Sequence, residues 1–329
     1  MEINDTESSS VTILFTSVPP MACFWIMFIF LIPSIVCSVF LLYNLLFDQN
    51  LRNALNNHVV IVLLIVGLSS LFLDIPNYLI FIWLGYVWPQ LASTCYLWCF
   101  VNLACFTLFG FLMVWATIER HILVFHTNWI NTQTKRFLIH YLPITIIILY
   151  CFSFYTIVIF FPSCGNEFDY TQNWCDYPCY SDDNNLLAYE NIVHFLLPIP
   201  LIVIINILLI IRVVKQKQRL HQHVQWNKYY KMILQIISCS VVYLLFDLPM
   251  LSILVAHNCG LPYEAIGQVE LFFYFLAYFI NIFMPFVFFG SLPEIWIKIR
   301  RRIQRLTNRV TPENITLHPF TIKQLIFAR

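Results

Sequence analysis

Residues 92–121 read ASTCYLWCFVNLACFTLFGFLMVWATIERH. The first charged side chain in this stretch is Glu119, and Arg120 follows it directly. A bilayer core about 30 Å thick is crossed by about 20 apolar residues in a helix, so this stretch is long enough to span a membrane. It predicts a transmembrane helix that ends in two opposite charges at one membrane surface.

Six more stretches of similar length and character occur along the chain. With 60% hydrophobic residues among 329, the chain has more apolar surface than one soluble core could bury. Because lipid offers no partners to backbone groups, the sequence predicts an all-α fold, a seven-transmembrane helix bundle. The predicted spans are 21–46, 58–85, 92–118, 138–162, 187–211, 232–256 and 266–289.

The placement of charge predicts the orientation. All 18 Lys and Arg residues lie in the first, third and fifth connections and in the tail. The positive-inside rule then predicts an extracellular N-terminus (1–20), a membrane domain (21–291) and a cytoplasmic tail (292–329) of a multi-pass plasma-membrane protein. On the outer side, Asn4-Asp5-Thr6 is a sequon, which predicts glycosylation at Asn4.

The first part of the tail, 293–306, places four aliphatic residues on one helical face and cations on the others. A helix of this kind lies on the inner leaflet, so membrane lipids are expected partners. The aliphatic residues are Ile295, Ile299, Ile303 and Leu306.

Several motifs occur at set distances along the chain. Glu119, Arg120 and His121 end the third span, and Cys95 lies 25 residues before Arg120, which is enough helix to cross the membrane. The last three spans each contain a proline that can kink a helix. These prolines are Pro198, Pro249 and Pro285. Together these features resemble the Asp/Glu-Arg-Tyr motif, the outer cysteine and the hinge prolines of class A (rhodopsin-like) G-protein-coupled receptors.

The resemblance implies a role for each motif. Arg120 would be the coupling switch, an ion pair with Glu119 would hold the inactive state, and its release would favour a heterotrimeric G protein. Cys95 would form a disulfide with the second outer loop, which is favourable in an oxidising compartment. We expect Cys179 as its partner, with Cys164–Cys175 as a second bridge and Cys175 as the alternative partner.

The family's usual sodium-binding residues are replaced here. Gly67 stands where the family has an Asp in the second span, and Ser38, Met284 and Phe288 replace other polar residues of that site. We therefore expect no sodium-dependent allosteric effect.

Two acidic residues are the leading candidates for ligand binding. Asp247 stands at the usual sixth-span Trp position, and Asp74 lies in the outer third of the second span. An ionisable group in mid-membrane is costly and usually faces the interior of the bundle. Either these acids bind a cationic ligand group, or they are protonated and bonded to neighbours such as Tyr243 or Tyr278. The predicted pocket residues are Asp74, Asn102, Phe246, Asp247 and Tyr278.

The sequence also narrows the ligand class. The seventh span has no Lys for an opsin Schiff base, and Asn102 occupies the position where amine receptors carry an Asp. The long outer loop is acidic and aromatic, which favours an extracellular ligand such as a basic peptide.

Two other classes compete with a receptor. A transporter or channel subunit could use Asp74 and Asp247 as a proton path, although no repeat or paired interrupted helices are evident. An enzyme is not expected, because no catalytic or metal-ligating cluster can be assembled. The histidines His140, His194 and His257 lie in different helices without metal-ligand spacing. No cofactor and no nucleic acid partner is indicated.

Overall fold

The computed structural model describes residues 19–219, 226–258, 263–292, 295–298, 300 and 304. These residues contain seven helices long and apolar enough to cross a membrane, and no β-strand. The seven helices are α1 (Pro20–Phe47), α2 (Leu55–Leu84), α3 (Ala92–Phe125), α4 (Gln133–Phe160), α5 (Asn184–Lys215), α6 (Trp226–Asn258) and α7 (Tyr263–Ser291). The predicted seven-transmembrane helix bundle is confirmed.

Helix α3 is the central element of the bundle. It packs against α2, α4, α5 and α6, while α1 lies against α2 and α7. Large aliphatic and aromatic side chains of the outer helices remain exposed on the outside of the bundle, as expected for a surface that faces lipid. Polar residues that face α3 are therefore shielded from lipid.

Three helices contain a widened π-helical turn just before a proline. Proline has no backbone N–H, so the helix before it can loosen, and such turns are frequent at functional sites. Asp74, His140 and Glu190 each lie in one of these turns. The turns are Ser70–Asp74 before Pro76, Phe137–Tyr141 before Pro143 and Glu190–Leu196 before Pro198.

The two other predicted hinge prolines lie inside continuous helices. Pro249 is within α6 and Pro285 is within α7. Their hinge role, like that of Pro198, stays a prediction.

Helix α2 ends at a left-handed glycine. Gly85 has a φ of 78°, and its N–H donates to the carbonyl of Phe81 at 2.8 Å.

The outer loop between α4 and α5 corrects the predicted disulfide pairing. Cys95 is bonded to Cys175 and Cys164 to Cys179, so the predicted Cys95–Cys179 bond is wrong and the alternative partner Cys175 is right. Three consecutive residues from Trp174 have a φ of 55°, 60° and 69°, and this turn carries Cys175 against α3. Spacing alone does not choose between connectivities, because all three loop cysteines are close in sequence.

A second unit begins at Leu292, and the structure describes its residues 292, 295–298, 300 and 304. Its residues 295–298 are helical, and the N–H of Ile295 donates to the carbonyl of Leu292 at 3.2 Å. Most of the predicted amphipathic helix 293–306 lies outside the described residues, and so does Asn4.

Candidate ligand cavity and cytoplasmic switch

A cavity of about 500 Å³ lies between α2, α3, α5, α6, α7 and the outer loop. Five acidic residues line it, and no Lys, Arg or His is among its lining residues. Apolar surroundings strengthen the electrostatic interactions of any ionised carboxyl in this cavity. The acidic residues are Asp74, Asp176, Glu190, Asp247 and Glu270.

Asp74 is buried in a hydrogen-bond network with α3 and α7. Its Oδ1 accepts from the Trp98 indole at 2.8 Å and from the Tyr278 hydroxyl at 3.0 Å. Its Oδ2 accepts from the side-chain amide of Asn102 at 3.0 Å. Three donors satisfy the two oxygens of this carboxyl without a cation.

Tyr278 also connects the network to the outer loop. The Trp174 indole donates to the Tyr278 hydroxyl at 3.0 Å, and the Cys99 thiol donates to the Trp174 carbonyl at 2.9 Å. The Trp174 ring packs edge-on against Tyr274, with 4.9 Å between centroids. The loop is therefore held over the cavity by contacts to α3 and α7 as well as by the Cys95–Cys175 disulfide.

Asp247 has fewer protein partners than Asp74. It lines the cavity from α6, is 4% exposed and is hydrogen-bonded to Tyr243. Of the two neighbours expected from the sequence, Tyr243 bonds Asp247 and Tyr278 bonds Asp74. A single neutral hydroxyl leaves more acceptor capacity on Asp247 than three donors leave on Asp74.

Glu190 is a cavity residue that the sequence analysis did not select. Its carboxylate accepts from Tyr155 at 2.8 Å and from Tyr180 at 3.1 Å. The Tyr155 hydroxyl also contacts Nδ1 of His194 at 3.0 Å and the Thr107 hydroxyl at 2.8 Å. A charge inside a predicted span could have identified Glu190, but its partners come from α4 and the outer loop, which the local sequence does not show.

The hydroxyl of Tyr180, in the outer loop, donates a hydrogen bond to Glu190. Burial, and then the neighbouring Glu190 carboxylate, raise the pKa of the Tyr180 hydroxyl well above its usual range. The hydroxyl therefore stays protonated at physiological pH.

Two of the three remaining predicted pocket residues line the cavity, and the third does not. Asn102 and Tyr278 line the cavity together with Asp74 and Asp247. Phe246 is not among the lining residues and instead packs against Phe279 and Phe283, with ring centroids 6.0 and 5.7 Å apart.

At the opposite end of α3, the predicted Glu119–Arg120 ion pair is absent from the described residues. Glu119 pairs with Nδ1 of His140 on α4, and Arg120 donates to the carbonyl of Asn56 on α2 at 2.8 Å. Consecutive residues on a helix do not face each other, so Glu119 and Arg120 have partners on different helices. His121 contacts Arg212 of α5 at 3.2 Å.

His140 and His194 are both buried, and the His257 side chain lies outside the described residues. Across the described residues, no group of three or more His, Cys, Asp or Glu could hold a metal ion.

Comparisons with known proteins agree with this architecture. No curated protein matches the chain. The crystal structure of squid rhodopsin has the same fold, with a TM-score of 0.68 and 15% identity over 90% of this chain and 89% of that chain. The family model described as 7 transmembrane receptor (rhodopsin family) matches residues 38–288. Because this match covers more than half of its residues, the chain belongs to the rhodopsin family of seven-transmembrane receptors.

Proposed function

We propose that this receptor sits in the plasma membrane with its N-terminus outside, binds a positively charged ligand in the acidic cavity and activates a heterotrimeric G protein. The observation that carries the ligand class is the lining of the cavity, which has five carboxyl side chains and no cationic one. Each ionised carboxyl would attract a cationic group of the ligand, and this attraction is stronger in an environment of low dielectric constant.

The aromatic side chains of the cavity support the same ligand class. Tyr177 and Tyr274 line it near the outer loop, and their hydroxyls contact each other at 2.7 Å. The faces of Trp and Tyr rings attract cations. A volume of about 500 Å³ suits a small amine or the basic side chains of a peptide.

Asp247 is the residue that we expect to form the ion pair with the ligand. Among the described residues Asp247 has one donor, Tyr243, whereas Asp74 is already bonded to Trp98, Asn102 and Tyr278. Asp74 would instead hold α2, α3 and α7 together beside the ligand.

Arg120 is the expected coupling residue at the cytosolic end. It is buried near the end of α3, and two cations, Lys135 and Arg136, lie in the first turn of α4. Ligand binding would shift the bundle toward a state in which Arg120 reaches the G protein.

The experiment is a screen of small amines and basic peptides on cells that express the receptor, followed by potency measurements on Asp247→Asn. Loss of a buried ion pair is expected to lower agonist potency about 30-fold or more. Asp182→Asn, a change at an exposed loop acid, is the matched control and should preserve potency. Unchanged potency in Asp247→Asn at equal surface expression would contradict the ion pair. Proton-coupled uptake or current without G-protein activation would favour a transporter.

A further inference from the structure

Arg212 lies near the end of α5 that the proposed orientation places in the cytosol, and two imidazoles contact it. Its Nη1 is 3.2 Å from Nε2 of His121, in α3, and 3.4 Å from Nε2 of His126, just after α3. Because a guanidinium only donates, both ring nitrogens accept from it. The guanidinium carbon lies 5.3 Å from the centre of the Phe125 ring, within range of a cation–π interaction. These contacts hold one nitrogen and one face of the guanidinium in place.

The other edge of this guanidinium, formed by Nε and Nη2, is open. These two nitrogens make no hydrogen bond with any other described residue, and the Arg212 side chain is exposed. Across the described part of the chain, no carboxylate pairs with Arg212. The N–H groups of Nε and Nη2 point in the same direction, and such a pair can bind two oxygens of one phosphate or carboxylate. The open edge is therefore arranged to accept an anion.

The sequence around this cluster offers cations and no acids. The stretches 120–166 and 191–246 contain no Asp or Glu. Lys215 follows Arg212 by three residues in α5, so the two cations lie on one helical face. The turn Thr127–Ile130 packs against both α3 and the first turn of α4, which adds two exposed cations. An anion bound at Arg212 would therefore meet attraction from several side chains.

The surrounding side chains place the open edge at the membrane surface. The aliphatic residues of α5 that precede Arg212 are exposed, as expected of a surface that faces lipid. These residues are Ile207, Leu208, Ile210 and Ile211. Trp129 is 51% exposed and stacks on His126, with 4.6 Å between ring centroids. Because Trp is enriched where hydrocarbon meets headgroups, the cluster lies at the depth of lipid phosphates.

We propose that Arg212, oriented by His121 and His126, binds the phosphate of a phosphorylated lipid headgroup in the inner leaflet. A phosphomonoester carries a charge of about −1.5 to −2 at pH 7 and three acceptor oxygens. The phosphate of phosphatidylcholine carries one charge, which its own choline group balances. An excess of cations without acids therefore favours a phosphoinositide over the neutral lipids of the leaflet. The site rests on the proposed orientation of the chain, but not on its agonist or its G protein.

The test measures binding of a fluorescent short-chain phosphatidylinositol bisphosphate to the purified receptor in phosphatidylcholine nanodiscs. Arg212→Lys keeps the charge and removes the planar pair of donors, so affinity should fall about tenfold. Arg136→Lys, the same change at an exposed position in the first turn of α4, should leave affinity unchanged. Equal affinities in Arg212→Lys and wild type would overturn the site, because net charge alone would then account for binding.

His126→Phe tests the orienting role, because it keeps a ring against Trp129 and removes the acceptor for Arg212. Affinity should fall about threefold in the wild-type background and should not fall further in Arg212→Lys. The same loss in both backgrounds would overturn the orienting role of His126.

Two further measurements separate the lipid from other phosphates and binding from folding. The soluble inositol phosphate headgroup should bind at least about tenfold more weakly than the lipid, because it lacks the acyl chains. Equal affinity would assign the site to a soluble phosphate and overturn the lipid. The lipid should also raise the unfolding temperature of the wild type, and by less in Arg212→Lys. No rise in the wild type would overturn the site, whatever the variants do.

Discussion

Trp174 of the outer loop donates its indole N–H to the Tyr278 hydroxyl of α7 at 3.0 Å. The same hydroxyl donates to Asp74 of α2, also at 3.0 Å. One tyrosine therefore joins the loop that covers the cavity to the polar network beneath it. A hydrogen bond that links a loop to a helix restrains the loop, so we expect this bond to slow the entry of a ligand.

Trp174→Phe should loosen this loop, because it removes the indole N–H and keeps an aromatic ring. We expect faster ligand association and dissociation, each by about tenfold for a bond worth about 1.4 kcal/mol. Binding kinetics on intact cells measure both rates. Trp83→Phe, at an exposed position on α2, is the control. Rates equal to wild type in Trp174→Phe would show that the loop does not limit access.

The two disulfides should differ in their contribution to stability. Cys95–Cys175 closes 80 residues and Cys164–Cys179 closes 15. Loop-closure entropy predicts about 4.5 kcal/mol for the first and about 3 kcal/mol for the second. The double substitution of Cys95 and Cys175 by Ser should therefore lower the unfolding temperature more than that of Cys164 and Cys179. Non-reduced peptide mapping checks the pairing, and a Cys95–Cys179 peptide would contradict it.

Gly110 is a position where a methyl group does not fit. A Cβ there would lie 3.0 Å from the Tyr243 hydroxyl, which is bonded to Asp247. Gly110→Ala should destabilise the receptor by about 1–3 kcal/mol, because the buried Tyr243 cannot move without losing this bond. Gly290, in α7, has no atom within 4 Å of such a Cβ. Gly290→Ala should be neutral or stabilising by up to about 1 kcal/mol. Thermal unfolding compares them, and equal effects would contradict the packing argument.

Ligand affinity should not depend on sodium. Gly67 has no side-chain oxygen that could bind a sodium ion. A Cβ at this position would lie 4.0 Å from the side-chain oxygen of Asn281. Radioligand binding in sodium chloride and in an organic cation of equal ionic strength tests this expectation. A fall of several-fold in sodium alone would show that another site binds the ion.

The sequence predicted more of the fold than of the contacts. Seven spans follow from apolar length. Of the five predicted pocket residues, Asp74, Asn102, Asp247 and Tyr278 line one cavity and Phe246 does not, and their part in ligand binding stays a prediction. The partners of Glu190 and Glu119 were not predictable, because Tyr155, Tyr180 and His140 come from other helices or from the outer loop. The choice of Cys175 also depended on a turn with positive φ at Trp174, a residue type that rarely adopts it.

G-protein activation, without ligand and with the amine and peptide panel, is the most direct test that this chain is a G-protein-coupled receptor. Wild type and Arg120→Ala are compared at matched surface expression. We expect a wild-type signal that falls to background in Arg120→Ala, because Arg120 is the proposed coupling residue near the end of α3. Equal signals in the two proteins, or silence of the wild type with every G-protein class, would contradict coupling through Arg120.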